Sequence, residues 1–215
     1  IVRDHHGALR FSATALRYVT ETRRLSEEVL RHRLVGLYTD RDGSSEGISM
    51  PYFKDGLPTY AKVRFIDPSR GKCVRYPRGV ETHLYNVDDL VEGETAIVTE
   101  GEIDALSLET AGVGEALSAA IVSVPDGVDS ADKPVTLVPL RTQRRVFIAL
   151  DADAPGEAAA AKLAAALAPD VECFRLTFPG HKDANDALVA LGPDALRALT
   201  VERAAAEMPV GAAVE

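Results

Sequence analysis

Acidic side chains follow short apolar segments in the second half of the chain. Glu100 and Asp104 come after one segment, Asp151 and Asp153 after a later one, and Asp183 after the last. If these segments are parallel strands of one sheet, their carboxyl ends lie at the same edge. Clustered carboxylates raise each other's pKa unless a cation neutralises them, and Mg²⁺ prefers such oxygen ligands. The pattern therefore predicts a divalent-metal site suited to phosphoryl or nucleotidyl transfer.

The spacing inside each acidic group supports this interpretation. Glu100 and Asp104 are four residues apart at the start of a predicted helix, so we expect them on one side of it. Asp151 and Asp153 are two apart, so their side chains project together if the strand continues. Gly101 allows a sharp turn and leaves room for a ligand close to the backbone.

Each acidic group also has an ordinary explanation when it is taken alone. An Asp-x-Asp sequence can be a turn or the nucleophile pair of a phosphohydrolase, and Glu100 can simply stabilise a helix dipole. Asp183 or Asn185 can cap a helix that begins near Asp186. The occurrence of all the groups on successive strands favours the metal site.

The elements that must position these acids alternate between strands and helices. The helical segments are residues 101–111 and 157–167 and a last helix at about 193–207, with Gly156 turning the chain before the second of them; the strands are residues 95–99, 119–124, 146–150 and 171–176. This alternation predicts a four-stranded parallel sheet with flanking helices and right-handed crossovers, an α/β fold.

The first half of the chain has a different pattern. Residues 11–37 look helical, with Ser26 as a cap and Gly36 at the end, and residues 40–47 form a turn-rich loop. Three strand-like runs, residues 48–53, 59–66 and 72–77, predict an antiparallel meander. The first half is thus a smaller α+β subdomain.

Charge is distributed unevenly along the chain. The net charge is −9, but residues 1–90 carry 15 Lys and Arg against 12 Asp and Glu, whereas residues 91–215 carry 9 against 21. A basic surface attracts phosphates directly, and an acidic one does so through a divalent metal. The basic residues on or near the meander either bind phosphate or form an ordinary solvated face of the sheet. They are Lys62, Arg64, Lys72, Arg75 and Arg78.

The acidic motifs resemble those of the toprim domain. That family has Glu-Gly-x-x-x-Asp after one strand, as in residues 100–104, and Asp-x-Asp after a later one, as in residues 151–153. Residues 98–106 and 182–188 are especially similar to the primase half of phage primase–helicases. The chain is identified as a toprim-domain primase of the Twinkle-like and DnaG-type family, with subdomains expected at 1–91 (basic), 92–190 (toprim) and 191–215 (helix and tail).

The resemblance implies a role for each matching residue. Asp151 and Asp153 would be the main ligands of Mg²⁺ or Mn²⁺, with Asp183 assisting. Glu100 would hold metal or accept the proton of an attacking 3′-hydroxyl, and Asp104 would support the site. Template backbone or ribonucleoside triphosphate would be held by Lys62, Arg64, Lys72, Arg75, Arg78, Lys182 and Gly101, and the 123–127 loop would line the nucleotide pocket.

The implied function is Mg²⁺-dependent synthesis of short RNA primers on single-stranded DNA during replication. A helicase, fused or separate, is an expected partner, because phage relatives continue into a P-loop ATPase that this sequence does not contain. Cys73 and Cys173 form no C-x-x-C pair, so a zinc-binding module would lie outside this chain. We expect a cytoplasmic protein of a bacterium or phage-infected cell, with no membrane partner, since the sequence has no apolar run of about 18 residues.

Two other functions use the same residues. Some toprim proteins are metal-dependent nucleases, and the basic meander is the feature that argues against that class. A non-catalytic toprim module that only binds single strands is disfavoured because the acidic residues are all present.

Overall fold

The structure is a computed structural model that describes residues 2–10, 12–40, 43, 45–71, 74–77, 79–168 and 170–206. The chain divides into two compact units, Ile1–Glu81 and Thr82–Glu215. This division lies ten residues before the boundary expected between residues 91 and 92. The functional boundary itself stays a prediction.

The first unit combines short helices with an antiparallel sheet. Its sheet has the strand order β1-β2-β3-β4, all antiparallel. The elements are α1 (Val2–Leu9), α2 (Ala13–Arg17), a π-helical segment (Tyr18–Thr22), α3 (Glu27–His32), β1 (Gly36–Thr39), β2 (Glu46–Lys54), β3 (Leu57–Phe65), a 3₁₀ turn (Pro68–Arg70) and β4 (Val74–Tyr76).

The predicted antiparallel meander is confirmed, with one more strand than expected. Asp55 and Gly56 both have positive φ, as a two-residue hairpin turn between β2 and β3 requires. The additional strand β1 pairs with β2 through Gly36 opposite Ser49. Gly36 therefore begins a strand, and the prediction that it ends a helix was wrong. Glycine is required at this position because a Cβ would overlap the backbone of His5 in α1.

The helical character predicted for residues 11–37 is confirmed only in part, because the segment contains separate short helices and becomes a strand at Gly36. Arg24 has a positive φ, which breaks the helical path, and Ser26 then starts α3 by accepting a hydrogen bond from the Val29 amide. Ser26 was correctly predicted as a cap. Val19 before the break and Leu30 after it are both buried.

The second unit contains the predicted parallel sheet, with strand order β6-β5-β7-β8. The four strands and their flanking helices confirm the α/β fold predicted from the sequence. The elements are a 3₁₀ turn (Val87–Asp89), β5 (Thr95–Thr99), α4 (Glu102–Thr110), α5 (Val113–Leu117), β6 (Ala119–Ser123), a 3₁₀ turn (Gly127–Ser130), α6 (Pro134–Leu140), β7 (Arg145–Ala149), α7 (Ala154–Leu167), β8 (Glu172–Arg175), α8 (Ala184–Leu191) and α9 (Pro193–Ala206).

Both faces of this sheet are covered, so all five residues of β5 are buried. The side of the sheet that carries Val98 and Ile148 packs against Leu140 of α6 and Leu163 of α7 in one core cluster. Helices α4 and α8 pack against each other, and α4 also contacts β5 and β6. The sheet is thereby fixed between helices, and its carboxyl edge can hold side chains in defined positions.

Helices α5 and α6 were not predicted from the sequence, because each is short and α6 contains Pro139. No helix in the described part of the chain is long and apolar enough to span a membrane.

Candidate metal and nucleotide site

The register of the parallel sheet brings its acidic loops to one edge. Thr99 at the end of β5 pairs with Ser123 of β6 on one side and Ala149 of β7 on the other. On β7, Ile148 pairs with Arg175 of β8. The residues that follow these strand ends therefore leave the sheet side by side, as the sequence predicted.

Asp151 and Asp153 are brought together around the ammonium group of Lys182. The Lys182 Nζ atom lies 2.8 Å from Asp151 Oδ2 and 3.3 Å from Asp153 Oδ2. Hydrogen bonding to Asp151 and its negative charge raise the pKa of Lys182 above its usual value. The two aspartates thus converge although strand β7 already ends at Ala149.

Glu100 lies at the same place. Burial, followed by the negative charge of Asp151, raises the pKa of Glu100 above its usual value. A hydrogen bond from the Asp151 backbone N–H to the Glu100 carboxylate opposes this rise. Glu100 Oε2 is buried with no hydrogen-bond partner in the described part of the structure. A Cβ on Gly127 would lie 3.6 Å from Glu100 Oε1, so the loop after β6 also reaches this carboxylate.

These residues fit a divalent cation that completes its coordination with water and substrate. Among the described residues, no three His, Cys, Asp or Glu side chains are grouped closely enough to hold a metal ion by themselves. Mg²⁺ usually takes one or two carboxylates, keeps several waters and binds substrate phosphate. The Lys182 ammonium bridges Asp151 and Asp153 in the structure, and the buried Glu100 Oε2 beside them has no hydrogen-bond partner among the described residues.

Asp104 faces a different neighbour from Glu100. The helix α4 begins only at Glu102, so Glu100 lies before it, and Asp104 Oδ1 accepts a hydrogen bond from the Asn185 amide at 3.1 Å. Asn185 also donates to Ser107 Oγ through its side chain. Asp104 therefore links α4 to the start of α8, next to the loop that carries Lys182, which agrees with a supporting role.

Gly101 lies close to the Asp104 carboxylate. Its φ of −127° is ordinary extended backbone, so the predicted need for a sharp turn was wrong. A Cβ at Gly101 would lie 3.1 Å from Asp104 Oδ2, so glycine leaves space for that carboxylate. Its assignment to nucleotide binding stays a prediction.

Asp183 caps a helix, as one of the alternatives anticipated. Its Oδ1 atom accepts the backbone N–H of Asp186 at 2.7 Å at the start of α8. A part in metal binding stays a prediction, because one carboxylate can serve a cap with one oxygen and a cation with the other.

Arg175 is a structural residue of this edge that the sequence did not reveal. Its guanidinium donates to the carbonyl oxygens of Ile148, Leu150 and Leu176 at 2.8–2.9 Å and to that of Asp151 at 3.3 Å. It also pairs with Glu157 of α7. These bonds satisfy backbone oxygens at the end of β7 and hold the backbone from which Asp151 projects. The available signal was an arginine directly after the buried Cys173 and Phe174 of β8.

A cavity of about 300 Å³ lies beside the loop that follows β6. It is lined by Val128, Asp129 and Lys133 from one segment and by Pro155 and Lys162 from α7. The predicted pocket residues 123–127 end one position before this lining begins. Their nucleotide-binding role stays a prediction.

The basic residues of the first unit are only partly described. Lys62 and Arg64 of β3 are both partly exposed, and the Val63 between them is buried, as the alternation predicted. The backbone of Arg75 pairs with Lys62, whereas Lys72 and Arg78 lie outside the described residues. Binding of nucleic acid by this group stays a prediction.

The chain is similar to toprim-like and primase-related proteins. Residues 97–188 match the family model described as Toprim-like. The chain is 31% identical over 179 residues to the Twinkle homolog protein, chloroplastic/mitochondrial, of Arabidopsis thaliana, covering 73% of the chain and 24% of that protein. It is 32% identical over 172 residues to the Primase homolog protein of the same plant, covering 70% of the chain and 48% of that protein. The chain thus spans about half or less of these relatives.

The fold is also that of a solved structure, the primase fragment of the bacteriophage T7 primase-helicase protein. The TM-score is 0.65 at 22% identity, covering 84% of this chain and 72% of that one.

Proposed function

We propose, from the premise that residues 97–188 form a toprim-like domain, that this chain is the RNA-synthesising part of a DNA primase. It would join ribonucleoside triphosphates into short primers on single-stranded DNA with Mg²⁺ or Mn²⁺. The convergence of Asp151 and Asp153 on one cation-binding point, with Glu100 beside them, carries the proposal. The relatives that are named primase or primase-helicase support it.

Asp151 and Asp153 would hold the divalent cation, and Asp183 would assist. The bound cation would supply positive charge that aligns a triphosphate and stabilises the charge developing during nucleotidyl transfer. Glu100 offers its buried Oε2 either to the cation or to the attacking 3′-hydroxyl. Asp104 would act through Asn185, by holding the start of α8 and the loop before it.

The first unit would hold the template and the triphosphate through Lys62, Arg64, Lys72, Arg75 and Arg78. Lysine and arginine contacts to phosphate release counterions, so binding of single-stranded DNA should weaken steeply as salt rises. A replicative helicase, fused or separate, and a zinc-binding module outside these residues are proposed partners. A cytoplasmic location stays a prediction.

Extension of an RNA oligonucleotide already annealed to a DNA template is the direct test. This substrate bypasses the choice of a start site, so the reaction does not need a zinc module. We expect addition of labelled ribonucleotides that requires Mg²⁺ or Mn²⁺ and is lost in Asp151→Asn, while Lys54→Met retains it. Failure to extend any annealed primer, with the protein folded and bound to DNA, would contradict the proposal.

The same preparation separates the primase from a nuclease. Labelled DNA and RNA are incubated with Mg²⁺ or Mn²⁺ and no nucleotides. Cleavage that is lost in Asp151→Asn, without primer extension, would assign the metal site to hydrolysis instead.

A further inference from the structure

Lys182 occupies the position between the two aspartates that a metal ion would need. Its ammonium contacts both carboxylates at the distances given above, and the Asp151 side chain is only 13% exposed. The lysine side chain itself is 54% exposed, so its stem reaches the aspartates from the solvent side. One positive charge is therefore shared by two carboxylates at the mouth of the site.

The backbone keeps Lys182 at this place. The Ala152 amide, between the two aspartates, donates to the Lys182 carbonyl oxygen at 2.7 Å. On the other side, the Lys182 amide donates to Asp186 Oδ2 at 3.2 Å. The two loops are thus tied together, and only the flexible side chain of Lys182 needs to move for the space between the carboxylates to open.

Electrostatics gives this contact a function. Burial and the neighbouring charges of Asp151 and Asp153 raise the pKa of Glu100, so this group of carboxylates is unfavourable without a nearby positive charge. An ammonium relieves that repulsion in the absence of metal. A divalent cation brings twice the charge and the same preference for the Asp oxygens, so the two cations compete for one place.

We propose that Lys182 is a built-in counter-cation that holds Asp151 and Asp153 in position until a divalent metal displaces it. The displaced ammonium would then be free to bind the phosphates of a ribonucleoside triphosphate. The exchange itself depends only on the metal site, whereas the triphosphate contact rests on the proposed function. The sequence had suggested a phosphate contact for Lys182, whereas its contact with Asp151 and Asp153 is seen only in the structure.

Metal titration without nucleotide or template tests the exchange. Lys182→Met removes the competing charge but keeps a long side chain, and Lys54→Met in the first unit is the matched control. We expect Lys182→Met to bind Mn²⁺ roughly threefold to tenfold more tightly, measured by calorimetry or by the electron paramagnetic resonance signal of free Mn²⁺, because a half-exposed ion pair is weak. Lys182→Arg, which keeps the charge, should bind Mn²⁺ like the unaltered protein.

Thermal unfolding supplies a readout that needs no activity. Without metal, Lys182→Met should melt at a lower temperature than the unaltered protein, and saturating Mn²⁺ should raise its melting temperature by more. Unchanged or weaker Mn²⁺ binding by folded Lys182→Met would overturn the exchange. This result is independent of primer synthesis, so it can fail or succeed whether or not the chain proves to be a primase.

Binding of a non-hydrolysable ribonucleoside triphosphate in the presence of Mn²⁺ tests the second step. Lys182→Met should weaken this binding although it strengthens metal binding, and Lys54→Met should change neither. Tighter metal binding together with unchanged triphosphate binding would overturn the phosphate contact and leave the exchange standing.

Discussion

Replacing Gly156 with alanine should damage the metal site through the backbone of Asp151. Gly156 lies in the first turn of α7, where its amide donates to Asp153 Oδ1 at 3.0 Å. A Cβ at this position would lie 2.1 Å from the Asp151 carbonyl oxygen, well inside the 3.0 Å below which real Cβ contacts are not found. The overlap is with backbone atoms, so no side-chain rotation can relieve it.

The expected magnitude follows from that distance. The Asp151 carbonyl and the Gly156 backbone must separate by about 0.9 Å to reach 3.0 Å, and overpacking of this kind costs about 1–3 kcal/mol. Alanine gains about 1 kcal/mol over glycine from helix propensity, which offsets part of this loss. We therefore expect the free energy of unfolding to fall by about 0–2 kcal/mol. The affinity for Mn²⁺ should fall by about tenfold or more, because the backbone that carries a metal ligand has moved.

Two measurements check this prediction. Urea denaturation monitored by circular dichroism gives the free energy of unfolding, and calorimetry gives the Mn²⁺ affinity. Ala158→Gly on the exposed side of the same helix is the control, and should lose about 1 kcal/mol of stability with unchanged Mn²⁺ affinity. If Gly156→Ala is more stable than the unaltered protein and binds Mn²⁺ normally, the close approach of Gly156 to Asp151 is refuted.

Four further substitutions or treatments have defined outcomes. Asp183→Ala should cost about 1 kcal/mol in denaturation experiments through loss of the α8 cap, and Asp183→Ser should recover most of it; weaker Mn²⁺ binding by a stable Asp183→Ser would show that this carboxylate also serves the metal. Arg175→Met should leave several carbonyl oxygens at the end of β7 without their donor and reduce both stability and Mn²⁺ affinity, whereas retained Mn²⁺ affinity would contradict its support of Asp151. Leu163→Ala should lower the free energy of unfolding by about 2–5 kcal/mol, since Leu163 is fully buried in the core. A smaller loss would show that neighbouring side chains fill the space left by the removed leucine atoms. Burial raises the pKa of Cys173 to about 11, so its thiol should resist iodoacetamide at pH 8.5 until urea unfolds the protein; mass mapping of that peptide detects early labelling, which would argue against burial.

The parallel sheet was predictable because its signals are local. Strand β5 was predicted with its observed bounds, Thr95–Thr99, since a short apolar run followed by a glycine is typical of a buried strand. In contrast, the helical pattern over residues 11–37 did not reveal the break at Arg24 or the strand that begins at Gly36, because buried residues such as Val19 and Leu30 lie on both sides of the break. Periodicity reports which residues face the core and does not report every change in chain direction.

The candidate site was predictable in its members and less so in their contacts. Asp151, Asp153 and Glu100 were selected because acids at the ends of parallel strands must share an edge. Asp104 was grouped with Glu100 from spacing alone, yet it bonds to the Asn185 amide, because the helix begins after Glu100 and turns the two carboxylates toward different neighbours.

The sequence by itself determined the order of strands and helices, the acids at the strand ends and the resemblance to toprim primases, since these depend on residue type and local spacing. Only the tertiary structure decided that Lys182 lies between the aspartates, that Arg175 holds the Asp151 backbone and that Gly156 makes room for it. Lys182 and Asp151, like Arg175 and Asp151, are far apart in the chain. Such contacts are set by how strands and helices pack, which no local pattern encodes.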